Sequence, residues 1–289
     1  MLSALRSLST AKEMGKPLPP LRELHDLEQG VFAFRFRTSQ VTVIAGPGGS
    51  QKSGLATWAV AQWNLPTLFM SADTDQRTAI TRLTAALTGD TTKMVGKALD
   101  NGQAAAYEDV LAACNTRFVY TPEPSFEDVE REIDAWVEAW DSYPTVIVLD
   151  NLLDIVPPYA GDNEYQGYKA ILLETKKLAR RTGACVIILH HMSDAEGSDA
   201  KKVKPASRAR LMGKVSQTPE NILSVELAQD GRLMMVAAVK HRTGPMDKTA
   251  ETFITLSCDP ARNQFTRYVP HGMTVNEALA KFYEQEAAG

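Results

Sequence analysis

A chain of 289 residues with 44% hydrophobic side chains can form one large domain, or one domain with appendages, around a real core. Its formal net charge of −4 excludes a molecule built as a whole to coat nucleic acid, so any polyanion site must be local. Three cysteines, at 114, 185 and 258, lie far apart without metal spacing, which is the usage of a reducing, cytoplasmic compartment. No apolar run approaches membrane-spanning length, and no hydrophobic signal-peptide region opens the chain.

The elements follow in order. Residues 1–24 read as an N-terminal arm and linker: Leu2, Leu5 and Leu8 recur at a spacing of three before the stiff stretch Lys16 to Pro20. This segment is either a frayed terminus or an arm that docks on a neighbouring subunit. Residues 25–289 read as one core. Apolar strand-like runs recur at Val41–Ala45, Thr67–Ser71, Arg117–Tyr120, Thr145–Asp150 and Ala184–His190. Helical patterns separate them: Lys52–Trp63, Asp75–Leu87, Gln103–Cys114, a face of Phe126, Val129, Ile133, Trp136 and Trp140 behind a Ser125 N-cap, and Tyr165–Arg181 before a Gly183 stop. This alternation predicts an α/β fold, a mostly parallel sheet covered by helices on both faces. After residue 220 the pattern changes to Ile222–Leu227, Arg232–Lys240, Ala250–Leu256 and Gln264–Val269, with a hairpin signal at Asp230-Gly231. That predicts a C-terminal antiparallel extension. Thr274 and Glu277 form a capping box that opens a final helix.

The chemistry concentrates at strand ends. The first strand runs into Gly46, Pro47, Gly48, Gly49, Ser50, Gln51, Lys52 and Ser53, and a helix follows. This is the strand–loop–helix context of a Walker A phosphate loop. Glycines let consecutive N–H groups curl around phosphates, and the helix start adds its own donors and dipole. Lys52 would reach the β- and γ-phosphates and Ser53 would ligate Mg²⁺. Gln51 departs from the pattern, standing where the last glycine belongs. Thr145–Asp150 has the Walker B form, an apolar strand ending in an acid that can hold the metal through water. Asp154 is a second acid nearby. Asp73 ends the second strand, where a base can orient an attacking water; Asp75 competes, and both residues also suit a helix N-cap. His190 and His191 point to opposite faces of their strand, which makes them poor partners for one metal; one can sense a γ-phosphate while the other packs.

A cationic stretch without acids, Lys201, Lys202, Lys204, Arg208, Arg210 and Lys214, reads as a loop that neutralises DNA phosphates without reading bases. A solvated basic loop, or one that closes over ATP, fits the same pattern. The stretch Pro157–Tyr168 is a second DNA candidate, with Tyr159, Tyr165 and Tyr168 available for stacking.

Together these elements resemble the RecA-type ATPase core of the DnaB-like hexameric helicases and their small phage and plasmid relatives, over roughly residues 25–256. In that family an acid follows the second strand, as Asp73 does, although the family usually has Glu. A polar sensor follows the fifth, at the place of His191, and the His-His pair looks like plasmid RepA-type helicases. Val239 to Pro245 is similar to the K-x-R-x-G-P stretch that DnaB-like proteins insert into a neighbour's ATP site, which implies that Lys240 and Arg242 are trans finger residues. The resemblance implies ATP with Mg²⁺ (or Mn²⁺), DNA that is single-stranded or forked, and a homo-oligomer in the form of a hexameric ring. The residues before about 25 are too few for the N-terminal primase-binding domain of the large replicative helicases, so an ATPase core without it is expected. Three functions are consistent with this reading. The first is an ATP-driven helicase, translocase or recombination–repair motor. The second is a metal-dependent nuclease using Asp73, Asp150 and Asp154. The third is a single-strand binding or annealing protein that ATP modulates.

Overall fold

The structure, a computed structural model, describes residues 14–157, 164–193, 204–211 and 216–268. The Leu2–Leu5–Leu8 segment, the final capping box, Tyr159, Lys201, Lys202 and Lys214 lie outside the described residues.

The part of the expected linker that is described is packed rather than free. Pro17 bridges Arg37, Leu18 N–H donates to Phe36 O at 2.8 Å, and the Trp63 indole donates to Pro19 O at 2.9 Å. Leu18, Leu21 and Leu24 are buried in the same core as Phe34 and Phe36. Leucines spaced between prolines bury their side chains while the stiff backbone needs few hydrogen bonds of its own. A short helix, α1 (His25–Glu28), leads out of this segment.

The core then alternates: β1 (Val41–Gly46), α2 (Lys52–Trp63), β2 (Thr67–Ser71), α3 (Gln76–Thr88), α4 (Thr92–Asp100), α5 (Glu108–Ala112), β3 (Thr116–Val119), α6 (Phe126–Trp140), β4 (Val146–Asp150), α7 (Glu164–Thr182) and β5 (Cys185–His191). Four further strands follow: β6 (Asn221–Leu227), β7 (Leu233–Lys240), β8 (Ile254–Asp259) and β9 (Gln264–Arg267). All nine join one sheet in the order β3-β2-β4-β5-β1-β6-β7-β8-β9. The first six in that order run parallel and the last three antiparallel. The expected α/β core with an antiparallel extension is therefore present. β1 and β4 are buried along their whole length, as doubly covered strands must be.

Local chemistry sets most boundaries. Ser125 and Asp128 close a reciprocal capping box at the start of α6, and Gly183, at φ +76°, stops α7. Three expectations shift. The helix expected over 103–114 is a 3₁₀ turn, Ala104–Tyr107, followed by the short α5, and α4 precedes it, started by the Thr91 hydroxyl accepting from Met94 N–H. The strand expected at Ala250–Leu256 begins at Ile254, because the Asp247 carboxylate gathers the N–H groups of Thr249 and Thr252 into a loop. Trp140 ends the apolar face of α6 but is about half exposed, its ring tilted against Trp136 with Arg117 over it.

Candidate nucleotide site

The phosphate loop leaves β1 at the carboxyl edge of the parallel strands, where ligand crevices of open α/β sheets lie. The register brings the neighbouring strand ends level with it: Gly46 pairs with His191 of β5, and Ser71 of β2 pairs with Asp150 of β4. The Ala72 and Asp73 N–H groups both donate to Asp150 O, at 2.8 and 3.2 Å, which ties the two acidic strand ends together.

Steric limits fix the loop. A Cβ on Gly46 would meet Val225 O at 2.5 Å and Ser50 Oγ at 2.6 Å, so no larger residue fits there. Gln51 adopts the left-handed conformation, φ 61° and ψ 29°, at the position where the motif prefers glycine. The chain thus keeps the loop shape and accepts backbone strain. Gln51 Oε1 and Asn263 Oδ1 both lie over Gly54, within 2.7 and 2.8 Å of where a Cβ would stand. Asn263 belongs to the β8–β9 turn, and β9 reaches α2 through the Trp58–Phe265 ring contact.

One cavity of about 170 Å³ collects Gly49 to Gly54, Asp73, Thr74, Arg82, Asp150, Asn151 and His191. Lys52 Nζ donates to Gly46 O at 3.0 Å and Pro47 O at 2.8 Å, and burial pushes its pKa down against the opposing pull of Asp150. Asp150 is 3% exposed, and burial raises its pKa to about 6, while a hydrogen bond from the Ser53 side chain opposes the rise. Its Oδ2 is buried without a hydrogen-bond partner among the described residues. A hydroxyl and an under-coordinated carboxylate oxygen facing one cavity are the donor set that a hard divalent cation takes, so Ser53 and Asp150 fit Mg²⁺.

The structure separates the competing acids. Asp75 caps α3, its Oδ1 accepting from Thr78 N–H at 3.0 Å, while Asp73 stands in the cavity. Asp154 sits in a 3₁₀ turn, Leu152–Asp154, off the cavity lining. Among the described residues no group of three or more His, Cys, Asp or Glu side chains could hold a metal ion, so the trio Asp73, Asp150 and Asp154 is not assembled as the nuclease reading requires. Of the histidines, His191 lines the cavity and His190 is fully buried, with the half-buried Tyr168 ring 6.1 Å away. Tyr168 therefore packs against the core rather than offering a free stacking face. Arg82 is the residue that sequence reasoning missed. It lies seven residues beyond the Asp75 cap, on the same face of α3, and its charge favours ionised Asp150.

The remaining candidates lie elsewhere. Lys240 and Arg242 line a separate cleft with Lys176, Arg208, Glu220 and Met246. Of the basic loop, Lys204 is only 18% exposed and paired with Glu251, and the Arg210 guanidinium donates to Ser193 O. The described part of that loop is therefore held down, with Arg208 beside the Lys240–Arg242 pair rather than on the nucleotide cavity. Among the described residues no helix is long and apolar enough to cross a membrane.

A family model described as AAA domain matches residues 5–197. The chain is 28% identical over 261 residues to the Gene 65 protein of Mycobacterium phage L5, covering 89% of this chain and 95% of the relative. It is also 28% identical over 221 residues to the Gene 65 protein of Mycobacterium phage D29, covering 75% and 94%. Two solved structures share the fold at 15% identity. One is described as a DnaB-like replicative helicase and its interactions with primase; the TM-score is 0.73, and 93% of this chain and 68% of that one are covered. The other is described as an ATPase domain; the TM-score is 0.74, and 92% and 96% are covered.

Proposed function

The chain belongs to the AAA domain family, and from that premise we propose that it is a P-loop ATPase working as a helicase-like motor on single-stranded or forked DNA. The observation that carries the reading is the convergence of Lys52, Ser53, Asp73, Asp150 and His191 in one cavity at the carboxyl edge of the sheet. Each has a chemical task there. The loop N–H groups and Lys52 bind the triphosphate, Ser53 and Asp150 hold Mg²⁺, Asp73 orients the attacking water, and His191 contacts the γ-phosphate. The bound metal supplies charge neutralisation at the phosphates. The RecA-type fold shared with DnaB-like helicase ATPase domains supports the same reading.

Assembly is part of the proposal. Thr42 of β1 pairs with Asn221 of β6, and Val41 N–H donates to Glu220, so the residues beside Arg242 stand at the amino end of β1. Gly46 is five residues further along that strand, roughly 16 Å away. That separation supports Lys240 and Arg242 serving the site of an adjacent subunit rather than their own, in a homo-oligomer such as a hexameric ring. The basic loop with Lys201, Lys202, Lys204, Arg208, Arg210 and Lys214 then contacts DNA phosphates.

End-labelled forked DNA, incubated with protein and Mg²⁺ with and without ATP, tests this on native and denaturing gels. ATP-dependent strand separation with intact strands is the expected result. Shortened strands without ATP would establish a nuclease instead, and shifted but unseparated DNA a binding or annealing protein.

A further inference from the structure

One buried acid holds the Lys240–Arg242 end of β7. Glu220 has only 3% of its side chain exposed. Its Oε2 accepts Val41 N–H at 3.1 Å. Its Oε1 meets Lys176 Nζ at 2.8 Å, Arg242 Nη1 at 3.3 Å and Arg180 Nη2 at 3.9 Å. The next residue joins in: Asn221 Oδ1 accepts Arg242 N–H at 3.3 Å. Lys240 Nζ donates to the carbonyls of Ser216 and Gln217 at 2.7 and 2.9 Å.

The arrangement has more than a structural tie requires. Val41 N–H and Lys176 already give each Glu220 oxygen a partner, and burial makes a carboxylate costly only until it is paired. Arg242 is an additional partner, and 58% of its side chain is exposed. A guanidinium has five donors in one rigid plane, so an edge resting on Glu220 leaves other N–H groups facing outward. Glu220 also offsets repulsion within the cluster. Burial, then Arg208 and Lys176, lower the Lys240 pKa to about 8, and Glu220 works against them.

We propose that Glu220 is the positioning residue of the finger, holding Arg242 by backbone neighbour and side chain so that its outward donors meet the phosphates of a nucleotide bound to a second copy of this chain. The proposal rests on the trans finger reading above. A long exposed arginine must otherwise be oriented anew in every cycle. A carboxylate anchored on β1 and α7 sets the orientation before the subunits meet.

The test is complementation in the full chain. Glu220→Gln keeps an acceptor for Val41 N–H and removes the charge. At assembling concentrations its kcat for ATP should fall between about ten- and a hundredfold, as for a misplaced contact, with nucleotide KM close to the parent's. Its melting temperature should fall, because Lys176 and Arg242 lose a buried counter-charge, and kcat is read well below it. Mixed with Lys52→Ala it should regain activity, because some interfaces pair the intact finger of one subunit with the intact phosphate loop of the other. Mixed with Arg242→Ala it should not. A Glu220→Gln protein that turns over at the parent's rate, beside an inactive Arg242→Ala, overturns the positioning role. So does a defect that Lys52→Ala fails to rescue although it rescues Arg242→Ala. Full activity in Arg242→Ala would instead remove the trans finger reading, and this inference with it. If Glu220→Gln does not co-assemble, Glu220→Asp carries the same test, since it keeps the charge and withdraws it by one methylene.

Discussion

The two edges of one sheet treat their charges in opposite ways. At the carboxyl edge, Lys52 rests on its own loop's carbonyls, Asp150 keeps a buried oxygen without a partner among the described residues, and Gln51 sits in a strained backbone conformation. At the amino edge, the buried Glu220 is paired on both oxygens, Lys176 and Arg242 are tied to it, and Lys240 is tied to backbone carbonyls. The first arrangement is poised to exchange provisional contacts for those of a ligand. The second is paired within and leaves the ends of Arg242 and Arg180 exposed. Such order suits the contact with a second subunit proposed above, whereas groups still seeking partners suit a surface that takes phosphates.

Breaking the carboxyl edge should have the largest effect. Lys52→Ala removes a charge-assisted contact of about 1.5–3 kcal/mol, so nucleotide affinity should drop by roughly ten- to a hundredfold by calorimetry. Unchanged binding in the folded variant would remove Lys52 from the phosphate site.

The amino-edge cleft is sharpened by Arg208. Arg208→Ala together with Arg210→Ala should weaken single-stranded DNA binding alike on all sequences. It should flatten the slope of log affinity against log salt by about 1.4 if both contact phosphate. An unchanged slope would mean that these two arginines serve the cleft and Ser193 alone.

A smaller effect is expected at Gln51. Glycine there relieves left-handed strain of about 1–2 kcal/mol, but it loosens the unfolded chain by about 0.4–1 kcal/mol. Gln51→Gly should therefore gain stability by about 1 kcal/mol or less in urea titration. A clear loss would show that the Gln51 side chain over Gly54 contributes packing that outweighs its backbone strain.

The smallest effect concerns the N-terminal segment. Glu28 is 6% exposed, accepts Leu21 N–H at 3.1 Å, and has its pKa raised by burial to about 7. The folded protein thus holds this proton more tightly than the unfolded chain. The associated stability is full below the ordinary value of 4.5 and is lost as pH rises through about 7. Glu28→Gln, which never carries the charge, should melt at a temperature that gains on the parent's between about pH 5 and pH 8. A constant difference across that range would assign the titration elsewhere.

Legibility in the sequence followed the range of the interaction. The phosphate loop, the Walker B strand and the Ser125 cap could be read because each is written within a dozen or so consecutive residues, where backbone geometry alone relates the groups. Arg82, Asn263 and Glu220 could not. Arg82 shares a cavity with Lys52 only because α3 folds back beside α2, and Glu220 finds Val41 across 179 residues. The choice between Asp73 and Asp75 was likewise open, since both precede a helix; only the capped geometry of α3 assigns Asp75 to the helix and leaves Asp73 facing the loop.

By itself the sequence determined the α/β alternation, the phosphate-loop chemistry and the antiparallel extension, because hydrophobic period and turn residues act locally. Tertiary structure alone decided which strand ends stand level, which histidine faces the cavity and which acid holds Arg242. Those outcomes depend on sheet order and register, which arise when distant segments pack and leave no mark in any single stretch of chain.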